Sequence, residues 1–173
     1  MSVGMLVSIF IIVLLWAIVM ITILRYKEKI SIMTGMVISM TIGMIIGVTL
    51  GAIIALHLHT DMFLSTFIGM GIGISAGVLA GIPIHMVAVM DGMVSGAMGG
   101  MMGAMLGAMI MPEYGDVTIR LLLLFYSVST CILLYLLDYE IGDTGKKLFH
   151  NPIIMSVALG VFFYAYQMLG PIL

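Results

Sequence analysis

Long apolar runs separated by short polar breaks organise the chain. About 30 Å of hydrocarbon is crossed at about 1.5 Å per residue, so one spanning helix takes about 20 mostly apolar residues. The first run, 3–24, is closed by a charged stretch holding Arg25, Lys27 and Lys29. The second, 32–56, ends at the polar segment His57-Leu58-His59-Thr60-Asp61. From Met62 to Met111 the chain stays apolar for far longer than one span requires. Gly81-Ile82-Pro83-Ile84-His85 breaks that stretch, because Gly and Pro punctuate helices, and gives spans 62–82 and 86–111. The fifth is 118–137. The sixth is 152–173, with Asn151-Pro152 as cap and first helical position. The pattern predicts an all-α, polytopic membrane helix bundle of six transmembrane helices forming one integral membrane domain, 1–173.

Charge gives this bundle an orientation. With six spans, the first, third and fifth loops share a side and hold Arg25, Lys27, Lys29, Lys146 and Lys147. The second and fourth hold only Arg120. Cytoplasmic loops carry the excess of Lys and Arg, which places both termini outside, in a membrane expected to be a bacterial plasma membrane. The first run lacks the positive leading region of a signal peptide and reads as a retained span.

Composition narrows the class. Of 173 residues, 63% are hydrophobic and 8% charged, and the mean hydropathy is +1.32. That leaves too little polar surface for a water-soluble globule and too much hydrophobicity for disorder. A net charge of −2, with no basic face, argues against nucleic acid as a partner. The single cysteine, Cys131, excludes an internal disulfide or a paired-thiolate site. Gly142-Asp143-Thr144-Gly145-Lys146 lacks the spacing of a phosphate loop. No hydrolase or redox constellation is present, so an enzyme is not expected.

The chain holds 21 Gly and 20 Met, concentrated in the second to fourth spans. Gly43, Gly47 and Gly51, then Gly69, Gly73, Gly77 and Gly81, then Gly92, Gly96 and Gly100 repeat every fourth residue. Such spacing keeps small residues on one helix face and lets backbones approach in lipid. Glycine-zipper packing of helices 2–4 is expected, and the same faces could dock a second copy of the chain. Met36, Met40 and Met44 fall in the sector of Gly43, Gly47 and Gly51, so they are expected to face the interior. In the fourth span, Met98, Met102, Met105 and Met109 share a sector apart from the glycines, and Asp91 lies in it.

A thioether is soft and suits Cu(I), while it is a poor ligand for Mg²⁺ or Ca²⁺. A ladder of weak sites is also what conduction needs. The candidate entry is the outer loop, with His57, His59 and Asp61. The candidate exit is His85, Met90 and Asp91 near the cytoplasmic side. The competing use of interior Met is as flexible filler of irregular gaps. Met86 and Met90, followed after twelve residues by Gly103 and Gly107, resemble the MxxxM-x12-GxxxG signature of Ctr-type copper transporters. That resemblance covers residues 86–107 and implies a Cu(I) path through a trimeric pore. The arrangement departs from the family, whose proteins have three spans with the two motifs on consecutive helices.

Asp91 has two readings. If the fourth helix starts near His85, it is an intramembrane carboxylate and a functional candidate. If the helix starts at Gly92, it is an acidic N-cap. Tyr126, Cys131, Tyr135, Tyr164, Tyr166 and Gln167 could line a polar cavity between the last two spans. The leading expectation is a small membrane protein that binds or transports Cu(I) through Met and His. One alternative is a small-solute permease or substrate-binding subunit, similar in size and span number to the S-components of ECF vitamin transporters. Another is a non-catalytic assembly or regulatory protein.

Overall fold

The computed structural model describes residues 3–27, 30–57, 62–111 and 114–141. They form α1 (Val3–Tyr26), α2 (Ile32–His57), α3 (Met62–Gly81), α4 (Met86–Met109) and α5 (Gly115–Ile141). Among the described residues the chain is all-helical. Four helices are long and apolar enough to cross a membrane: Ile32–Leu56, Met62–Gly81, Met86–Met109 and Gly115–Leu137. α1 runs for 24 residues. The chain is therefore read as a helical membrane bundle. The expected sixth span, 152–173, and the basic residues Lys29, Lys146 and Lys147 lie outside the described residues.

α2, α3 and α4 form one tightly associated unit, and glycine makes it possible. A Cβ added at Gly43 would stand 2.7 Å from the carbonyl oxygen of Gly92, and one at Gly47 would stand 2.6 Å from the amide nitrogen of Gly100. Between α3 and α4 the fit is closer. Gly73 lies on the Gly96 backbone, Gly77 on Gly92, and Gly100 on Gly69. The register runs in parallel for α2 with α4 and antiparallel for α3 with α4. In lipid, where apolar tails compete with apolar side chains, such backbone contact maximises van der Waals attraction.

One polar contact crosses this unit. The buried Ser39 hydroxyl donates to the Ala88 carbonyl at 2.7 Å. Elsewhere Ser and Thr hydroxyls mostly donate back into their own helix, as from Thr49 to Ile45 at 2.8 Å. That removes the cost of an unsatisfied donor in hydrocarbon.

α1 and α5 pack differently. They lie against each other and against α2, with Ile12, Val19 and Ile23 of α1 meeting Leu123, Tyr126 and Leu133 of α5 in a side-chain core. The buried Tyr126 hydroxyl donates to the Ile12 carbonyl at 3.0 Å. This large hydrophobic layer matches the Leu- and Ile-rich composition of the two helices.

Candidate functional site

The break between α3 and α4 fixes how α4 starts. The amides of Ile84 and His85 donate to the Gly81 carbonyl at 3.0 and 3.2 Å, closing a tight turn around Pro83. His85 is extended (φ −164°), and its Nδ1 accepts from the Val87 amide at 3.3 Å, so His85 is the N-cap. This settles the position of Asp91. It lies inside α4, in the second turn, and does not cap the helix. It sits about 7.5 Å along the axis from Met86. Its side chain is half-buried, and it makes no hydrogen bond or ion pair among the described residues.

Of the α2 methionines expected to face the interior, Met40 is exposed, which corrects that expectation, while Met36 and Met44 are half-buried. In α2, Met33 is 78% exposed and Met40 45%, while Met36 and Met44 are half-buried at the rim. The reason is the closeness of the glycine contact. With Gly43 and Gly47 pressed onto α4 backbone, little volume is left beside them for a thioether chain, so Met40 is exposed and Met36 and Met44 are only partly covered. In α4 the division is complete. Gly92, Ser95, Gly96, Gly99, Gly100 and Gly103 are buried. Met90, Met98, Met102, Met105 and Met109 are exposed, from 51% for Met105 to 80% for Met109. The filler reading is corrected for the same reason, since these methionines fill no gap within the described bundle.

The other outward faces use different residues. α3 presents Phe63, Leu64, Phe67 and Ile68; α5 presents Leu121, Leu124, Phe125 and Ile132. Exposed methionine is thus concentrated on α4, with Met33 and Met40 on α2 and Met62 at the start of α3.

The remaining sequence candidates are dispersed. His57 ends α2, but its side chain, with His59 and Asp61, lies outside the described residues. His85 is exposed at the opposite end of α2, on the α3–α4 turn, whose Ile84 packs on Gly35. Among the described residues no group of three His, Cys, Asp or Glu side chains comes together. Tyr164, Tyr166 and Gln167 lie outside the described residues, and Tyr126 faces α1.

A cavity of about 10 Å³ lies between α1, α2 and α5, lined by Trp16, Thr41, Tyr126 and Thr130 among others. It has about the volume of one water. The Trp16 Nε1 beside it is buried with no hydrogen-bond partner among the described residues. Of the lining side chains, sequence reasoning named Tyr126 alone, because the lining is mostly apolar and comes from three helices. Comparison with family models, curated proteins and solved structures gives no match for this chain.

Proposed function

We propose that the protein binds a soft metal ion, Cu(I), in the membrane, with the thioether face of α4 as its ligand array. The observation that carries this reading is the segregation of methionine. Met dominates the outward face of α4, with Val87, Val94 and Leu106 beside it, whereas the outward faces of α3 and α5 are mostly Leu, Ile and Phe. Shape and hydrophobicity do not require that exchange. The sulfur lone pair is what Met has and Leu lacks, and Cu(I) is the ion that thioethers favour. Met98, Met102, Met105 and Met109 rise along one face in steps of about 4.5–6 Å, the geometry of successive weak sites. Asp91 near one end supplies a negative charge within the span. The glycine zipper of helices 2–4 holds this face rigid. The array is open on its outer side, so a second wall completes each site.

Competitive titration with a Cu(I)-specific chromogenic chelator tests the reading. The protein in detergent should take up Cu(I). Replacing Met98, Met102, Met105 and Met109 together by Leu should lower the affinity at least tenfold while leaving the melting temperature within a few degrees. No uptake, or uptake that the fourfold variant leaves unchanged, overturns it.

A second reading, a non-catalytic membrane assembly subunit, is favoured by one specific observation: Asp91 lies in a span and makes no hydrogen bond or ion pair among the described residues, and intramembrane carboxylates are nearly always paired. Recovery of a stoichiometric membrane partner with copper-free protein would favour it. The permease reading draws no support from a cavity of about 10 Å³.

A further inference from the structure

The outer face of α4 and the outer face of α1 carry matching stripes. On α4, Val87, Asp91, Val94, Met98, Met101 and Met105 recur at alternating steps of four and three residues. All are exposed except Asp91, which is half-buried. On α1, Leu14, Ile18, Ile21 and Arg25 recur with the same steps, and all are exposed. This is the 3.5-residue period that lets two helices run along each other. Within one chain these stripes do not meet: α1 packs on α5 and α2, while α4 packs on α2 and α3.

The polar residue of each stripe sits toward the same end. α1 reaches that end at Arg25, and α4 leaves it at His85 and Asp91. The two helices run in opposite directions, because α4 is parallel to α2 and α1 joins α2 through a short connection. Laid antiparallel with Arg25 level with Asp91, α1 brings Ile21 beside Val94, Ile18 beside Met98 and Leu14 beside Met101. Arg25, like Asp91, makes no ion pair among the described residues. A carboxylate in a span is costly alone, and a guanidinium at a helix end can extend along the axis to meet it.

We propose that the protein self-associates head to tail, the outer stripe of α1 in one copy lying antiparallel on the Met-bearing stripe of α4 in the next, with Arg25 paired to Asp91. The contact joins two different surfaces, so repetition closes into a ring if the rotation allows it. It rests on charge and register and not on metal binding.

Cross-linking in native membranes tests it. In a Cys131→Ser background, Ile18→Cys and Met98→Cys are placed on separately tagged copies of the full chain, co-expressed and treated with a mild oxidant and a copper chelator. The expected product is a mixed-tag dimer, at several times the yield of either self-linked dimer. Asp91→Arg or Arg25→Asp alone should reduce it at least tenfold, and the two together should restore it. Asp91→Asn and Arg25→Gln serve if the charge reversals do not accumulate, with a several-fold loss expected from each. Met98→Cys linking to itself as efficiently would show α4 meeting α4 and overturn the proposal. So would a mixed yield no greater than from Phe67→Cys on α3, or neutral variants that leave the yield unchanged. Because copper is excluded, failure here leaves the Cu(I) titration to be judged separately.

Discussion

α2 is packed in two ways, and its two sides obey different rules. Toward α3 and α4, backbone meets backbone through glycine, and the contact has almost no volume to spare. Toward α1 and α5, Ile, Leu and Tyr side chains interdigitate, and one cavity is left. In the glycine unit, stability comes from what is absent, since every added atom meets a main chain that cannot step aside. In the side-chain layer, stability comes from what is present, so trimming costs energy in proportion to what is removed. The outward faces divide differently, with Met on α4 and mostly Leu, Ile and Phe on α1, α3 and α5.

The sharpest test uses two glycines on one helix. An added Cβ at Gly73 meets the Gly96 carbonyl, whereas at Gly71 it meets nothing within 4 Å. Gly73→Ala should cost more than about 3 kcal/mol, above the usual range for overpacking because backbone must move, and Gly73→Leu should abolish accumulation of folded protein. Gly71→Ala should be neutral or stabilising by up to about 1 kcal/mol from helix propensity. Thermal unfolding in detergent reads both, and equal effects would remove the claim that α3 meets α4 backbone to backbone at Gly73. Next in size is Ser39→Ala, which removes the hydrogen bond to Ala88. A loss of about 0.5–1.5 kcal/mol is expected, the range of interhelical hydrogen bonds in membranes, measured by steric-trap or denaturant unfolding. Tyr126→Phe removes the corresponding bond to Ile12 in the side-chain layer. It should cost about 0.5–1 kcal/mol. Smallest of all, Met102→Leu on the outer face of α4 should change stability by under about 0.5 kcal/mol. Its effect should appear in Cu(I) affinity instead.

Much of this architecture was legible in the sequence, because a bilayer sets span length and glycine spacing sets faces. The break at Gly81 to His85 falls where α3 ends and α4 begins, and span 62–82 differs from α3 by one residue. α5 extends beyond the expected 118–137 to Gly115–Ile141, since charged residues at helix ends can continue a helix past the apolar stretch. The candidate site was less legible. A helical wheel places Met36, Met40 and Met44 in the glycine sector. It does not show that two backbones approach so closely that Met40 is left exposed and Met36 and Met44 only partly covered. Asp91 was ambiguous because its role turned on the first residue of α4, and the capping Nδ1 of His85 decides that. The cavity beside Trp16 had no linear signal at all.

The tight turn at Pro83 also bears on how the protein reaches its membrane. Among the four spans, α4 is the least hydrophobic, and Asp91 in its second turn adds part of the insertion penalty of about 2.5–3.5 kcal/mol that an aspartate carries at a helix centre. α3, more apolar and joined to α4 through four residues, already presents the glycines onto which α4 fits. The two are therefore expected to leave the translocation machinery as one hairpin, α3 carrying α4 into the lipid. Glycosylation-site mapping of nascent chains would show this: α4 fused alone should insert poorly, and α3–α4 together should insert well. Equal insertion of both fusions would remove the dependence.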